Sequence, residues 1–177
     1  MCEARCLHGV LAYSNHTVYV FGGVRGGSYL HSCEKYHLQQ HSWTLLPPMK
    51  AGRAYFNPCQ FNGNVYLCGC GSALLEAFYP PNDQMLPFQL SMPTYSNCCM
   101  YVEDNMLVVN LDCNILKFRA GQAEPLVETS RQSTKEDVIW PNSQPVVNAA
   151  LRLYYIIARD CCFSVNMDSG KVGPAIS

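Results

Sequence analysis

The chain carries no surplus of charge of either sign: 12 Lys and Arg stand against 13 Asp and Glu, a formal net charge of −1 over 177 residues. Nucleic acids and anionic membranes recruit proteins through clustered positive charge, so neither is an expected partner. Long apolar runs are missing as well. The strongest, "LRLYYIIA" from Leu151 to Ala158, is short and contains Arg152, whereas a membrane helix needs about 18 apolar residues. The opening "MCEARCLHGV" holds Glu3 and Arg5 and lacks the apolar stretch of a signal peptide, which predicts a cytoplasmic protein. No G-x-S-x-G elbow, P-loop or H-E-x-x-H occurs, so the common signatures of hydrolases, nucleotide enzymes and zinc proteases are absent.

Cysteine is abundant, at 11 residues, but its spacing excludes the usual uses. A zinc site needs pairs such as C-x2-C. Here one residue separates Cys68 from Cys70, Cys98–Cys99 and Cys161–Cys162 are adjacent, and three residues separate Cys2 from Cys6. The odd count and the strand-like surroundings argue against a disulfide framework. Cys68, Cys98, Cys99, Cys161 and Cys162 are therefore expected as small buried hydrophobes in reduced form. The histidines, His8, His16, His31, His37 and His41, all fall near the start with no recurring ligand partner. Ser28 and Ser32 flank His31, yet nearness in sequence does not supply a nucleophile with its base. No catalytic residue, metal or cofactor is expected. Asn15-His16-Thr17 matches a glycosylation sequon and reads as a hairpin turn.

What is present is a recurring strand. "VYVFGGVRGG", Val18 to Gly27, runs from an apolar strand into two pairs of glycines. A phosphate-cradling loop would open a helix at once, and the following "SYLHSCEKYHL" has strand spacing instead. The pattern of a short polar turn before an apolar strand returns in "NGNVYLCGCG", "EDNMLVVN" and "LRLYYIIAR". It places Tyr19, Tyr66, Leu107 and Tyr154 at intervals of 47, 41 and 47 residues. Such periods mark a repeat architecture. Another strand-like run precedes each turn, and a third element holds Tyr36, Phe78, Phe118 and Val165. A fourth places Trp43 seven residues after Tyr36 and Met85 seven after Phe78. Four short strands joined by turns make an antiparallel sheet of the size of a propeller blade, and stacking such sheets buries both faces of "VYVF". The competing reading of the same strands is an all-β sandwich; sustained helical periodicity is absent.

Gly22, Gly23, Tyr36 and Trp43, followed by "LLPPM", resemble the kelch repeat, and Arg53 and Arg5 match the arginine that commonly opens a kelch copy. The second copy keeps Gly69 and Gly71 and has Met85 for tryptophan. The third and fourth show Val109-Asn110 and Ala158-Arg159 where glycines would stand. The resemblance implies an all-β protein, a β-propeller of four-stranded antiparallel kelch-like blades with about four blades present. Expected bounds are residues 5–49, 53–92, 94–129 and 145–177, with an extended loop over the polar 130–144. Six or seven blades usually close such a ring, so additional blades or self-association are expected to complete it.

Kelch-like propellers present rim loops to partners, so the resemblance implies a non-enzymatic module that binds a protein or peptide in an adaptor or scaffold role. The alternative is an enzyme on the same scaffold, similar to copper oxidases or sugar-processing enzymes, and it would need ligands converging from several blades. Loops after each second strand and between blades emerge on one rim. That makes Arg5, Arg25, Tyr29, His31, Arg53 and Tyr55 the expected partner-binding residues, because arginine and tyrosine dominate interface hot spots. Arg5 and Arg53 have a second reading, as donors to carbonyls of neighbouring blades.

Overall fold

The computed structural model describes residues 1–69 and 72–91, with their side chains to residue 87, and beyond residue 95 the backbone of the strands. The first sheet contains β1 (Gly9–Ser14) and β2 (Thr17–Phe21). A small hairpin of β3 (Val24–Arg25) and β4 (Ser28–Tyr29) interrupts it before β5 (Cys33–His37) and β6 (Ser42–Leu46) complete it. The second sheet comprises β7 (Cys59–Phe61), β8 (Asn64–Gly69), β9 (Ser72–Tyr79) and β10 (Gln84–Ser91). The third holds β11 (Ser96–Val102), β12 (Asn105–Asn110), β13 (Ile115–Arg119) and β14 (Leu126–Glu128). The fourth holds β15 (Val146–Asn148), β16 (Leu153–Ile157), β17 (Cys162–Asn166) and β18 (Val172–Ile176). Each of these four sheets is a four-stranded antiparallel meander in chain order. The molecule is all-β, an array of propeller-type blades. No helix among the described residues is long and apolar enough to cross a membrane. The segment 130–144 lies outside the described residues, as do the side chains of Cys98, Cys99, Cys161 and Cys162.

Backbone register makes the repeat concrete. Tyr36 pairs with Val18 and Trp43, and Phe78 pairs with Val65 and Met85, so the seven-residue spacing is that of residues opposite each other across one turn. The third sheet keeps this alignment, with Phe118 opposite Met106. The fourth departs from the expected one. Val165 pairs with Tyr154 and so occupies the place of Lys35, while Asn166, opposite Leu153, occupies that of Tyr36.

The first two sheets stack face to face. Tyr19, Phe21, Cys33 and Leu46 of the first meet Val65, Leu67 and Phe78 of the second, with Met49 and Phe56 from the connecting segment. The Phe78 ring meets Tyr19 and Phe21 edge-on, with centroids 5.2 and 5.4 Å away, the arrangement that ring quadrupoles favour. Polar contacts also cross the stack: Tyr19 donates to Asp83 Oδ1 at 3.0 Å and lies 3.3 Å from the Pro80 carbonyl, and Lys35 Nζ pairs with the other Asp83 oxygen. Burial in this stack pushes the Tyr19 hydroxyl pKa up, and the hydrogen bond to Asp83 adds to the shift.

Candidate functional site

Three segments meet at one rim of the first sheet: residues 1–8, the β3–β4 hairpin with residues 30–32, and the linker 49–55 between sheets. The glycine pair makes the meeting possible. Gly22 and Gly23 have φ of +59° and +109°, and a Cβ would lie 2.3 Å from the Arg53 carbonyl at the first and 2.7 Å from the Cys6 carbonyl at the second. No other residue type fits both the conformation and the space. The Gly23 amide then donates to Arg53 O at 2.8 Å, and Cys6 and Val24 exchange amide bonds at 3.1 and 2.8 Å. The linker amides of Met49 and Arg53 donate to the carbonyls of His31 and Leu30, and that of Tyr55 to Leu7.

Beneath the rim lie two copies of one charged device. Arg5 donates through Nη1 to the carbonyls of Gly22 and Ser32, at 2.7 and 2.9 Å, and through Nη2 to Glu34 at 2.6 Å. Arg53 donates through Nη1 to the carbonyls of Leu67 and Leu74, at 2.6 and 2.9 Å, and through Nη2 to Glu76. Each glutamate also accepts the amides two and three residues before its arginine. Those are Glu3 and Cys2 for Glu34, at 3.1 and 2.5 Å, and Ala51 and Lys50 for Glu76, at 3.3 and 2.7 Å. Burial pushes the Glu34 pKa up, but the two amides and the Arg5 guanidinium outweigh it, and the carboxyl rests below the ordinary value. Each arginine is followed two residues later by a left-handed residue, Leu7 at φ 56° and Tyr55 at φ 53°. Both guanidinium groups are wholly buried.

The hydrogen bonds of Arg5 and Arg53 follow the second of their two readings, as donors to blade carbonyls. A buried guanidinium must exchange its hydration for fixed acceptors, and both have done so within the fold. The other four residues reach the same rim in different states. Arg25 is 63 % exposed and touches only the edge of the network, at 3.4 Å from Glu3. Glu3 is itself held by the Ser32 hydroxyl, the main cause of its lowered pKa, and by Arg5. Tyr29 is 40 % exposed. His31 is exposed, with Nδ1 3.2 Å from the Met49 carbonyl. Tyr55 is half-buried. Arg25 and Tyr29 do not share a face: Arg25 is opposite Ser28 and Tyr29 is opposite Val24, and adjacent strand residues point to opposite sides. Gly26 and Gly27, both at positive φ with nothing nearby, form the tip, which projects into solvent.

Glu34 and Glu76 were invisible as partners in the sequence, although a signal exists. Each lies two residues before the aromatic of the third strand, as an acidic residue in the middle of a blade. In the other two sheets the register places Leu116 and Ser164 there. Among the described residues no group of three His, Cys, Asp or Glu stands together as a metal ion would require.

Four-stranded meanders stacked face to face, with an arginine clasp at the entry to a blade and glycines at the end of its second strand, define a protein of the β-propeller class. The family model for the kelch motif matches residues 4–50, so the first blade is a kelch repeat. A comparison with curated proteins found no match.

Proposed function

We propose that the chain is a non-enzymatic protein-interaction module that acts in the cytoplasm as an adaptor or scaffold, and that its docking element is the rim built by the β3–β4 hairpin. The observation that carries this reading is the division of labour among the rim arginines: Arg5 and Arg53 are consumed by the fold, while Arg25 stands 63 % exposed on a projecting hairpin beside Tyr29 and His31. Open space surrounds Gly26 and Gly27 at the hairpin tip, and the hairpin's exposed arginine and aromatic combine contact area with directed hydrogen bonds. With Arg25 on one side and Tyr29 on the other, a short polar or acidic segment would lie astride the hairpin and reach the linker at Tyr55. Arg5 and Arg53 serve this site by holding its two supporting segments in place. A reducing compartment suits the buried Cys33 thiol, whose pKa burial pushes up to about 12, leaving little reactive thiolate.

The test is partner capture with the whole chain, followed by titration of the recovered partner against variants. Arg25→Ala and Tyr29→Ala should each weaken binding by more than about 1 kcal/mol, with unchanged melting. Asn15 and Asn62, exposed at turns on the opposite rim, are the controls. Equal losses from Asn15→Ala and Asn62→Ala would reject the assignment.

A further inference from the structure

The β3–β4 hairpin carries more than an exposed arginine. Arg25 and Ser28 face each other across it, joined by Gly26 and Gly27 with φ of +57° and +80°. Two successive positive values are what the tightest hairpin turn requires, and glycine supplies them without strain. Residues directly opposite share a face with Cβ atoms about 5 Å apart, so the Arg25 guanidinium can reach a group attached to the Ser28 hydroxyl. Residues 25–29 are all exposed, the longest such run among the described residues.

The hairpin is also built to open. Each of its strands has two residues, none of them buried, and two register pairs with the bond from the Leu30 amide to the Gly23 carbonyl hold it closed. Local opening of such a weakly packed segment is how it enters an enzyme that reads an extended chain. In sequence, arginine stands three residues before the serine, the basic signal that one class of serine/threonine kinases reads. Ser14 and Thr44, the other exposed residues of these two types among those described, have Leu11 and His41 at that place. Arg25 can change partner as well. Its contact with Glu3 is 3.4 Å long, and without it Glu3 keeps the Ser32 hydroxyl and Arg5 Nη2.

We propose that Ser28 is a phosphorylation site for an arginine-reading serine/threonine kinase, and that the phosphate captures Arg25 across the hairpin. The Ser28 Oγ attacks the γ-phosphorus of ATP. The new O–P bond forms as the bond to the β,γ-bridging oxygen breaks, ADP leaves, and the hydroxyl proton passes to the base of the kinase. The product places nearly two negative charges and three acceptor oxygens opposite a planar fork of donors, the pairing that arginine makes best. Arg25 then leaves Glu3, and the rim presents an anion where it presented a cation. This inference does not depend on the rim-binding reading.

The test incubates the whole chain with a calmodulin-dependent protein kinase, calcium–calmodulin and magnesium ATP. Fragment sequencing locates the product, because Arg131 also stands three residues before Thr134. One phosphoryl group on Ser28 is expected. Ser28→Ala should abolish it, and Arg25→Ala should slow it at least about tenfold, the loss of one charge-assisted contact. Phosphorus NMR then reads the capture: the second pKa of the phosphate, about 6 when unpaired, should be lowered in the folded protein and return in urea. No phosphate on Ser28, a rate indifferent to Arg25→Ala, or a phosphate that titrates alike folded and in urea overturns the proposal.

Discussion

The two arginine clasps are chemically alike and differ in what they join. Arg53 and Glu76 lie where the linker enters the second sheet, under a fully packed interface. Arg5 and Glu34 fasten residues 1–5, whose Met1, Cys2 and Ala4 are exposed. The same hydrogen bonds thus sit in a rigid setting and in one able to open. Carbonyls at strand ends have no sheet partner and must be satisfied by something, and a guanidinium satisfies two at once while its charge is met by a carboxylate that also gathers two amides. A charged group in each of the first two blades therefore accompanies the passage of the chain into that blade. In the third and fourth sheets the register places Leu116 and Ser164 at the glutamate's position.

The largest expected effect separates the clasps. Arg53→Ala strands Glu76 inside the stack and should cost about 3–5 kcal/mol in chemical denaturation. Arg5→Ala should cost markedly less, because residues 1–4 can lift away and let water reach Glu34. Equal losses would mean that the entry segment is as firmly held as the linker.

A second comparison uses two glycines with nearly the same backbone. Gly22 and Gly26 have φ of +59° and +57°, but a Cβ at Gly22 meets the Arg53 carbonyl at 2.3 Å and one at Gly26 meets nothing within 4 Å. Gly26→Ala should cost about 1–2 kcal/mol, the price of the left-handed conformation. Gly22→Ala should exceed it clearly, since it must also displace the linker and the bond from Gly23. Similar midpoints for the two variants in urea would show that the linker yields freely.

The smallest effect is in pH. The Glu34 carboxyl is held below its ordinary value in the folded chain, so the unfolded chain binds the proton first. The stabilisation is complete above the unfolded value, about 4.3, and is lost as pH falls below it. Melting temperature should therefore decline in acid, and Glu34→Gln should flatten part of that decline while lowering stability at neutral pH. A variant whose acid profile runs parallel to the parent's would show that Glu34 contributes none of it.

Much of the blade was legible without coordinates because its signals are local. A two-residue period, turn residues at Asn15 and Asn62, and seven-residue gaps from Tyr36 to Trp43 and from Phe78 to Met85 concern residues that are neighbours across a single turn. The glycines announced a close approach without naming what approached. Val165 was misaligned because the fourth sheet has no aromatic at the position of Tyr36, which leaves only register to decide between two adjacent residues.

Sequence alone determined that this chain forms repeated antiparallel blades and that Gly22, Gly23, Tyr36 and Trp43 occupy special places in the first. Only the tertiary structure decided which rim arginines face solvent. An arginine beside a glycine in a polar loop is equally at home in water or against carbonyls, and nothing within a few residues of it breaks the tie. Glu34 and Glu76 break it, from strands 29 and 23 residues further along the chain, and folding alone brings each within reach of its guanidinium.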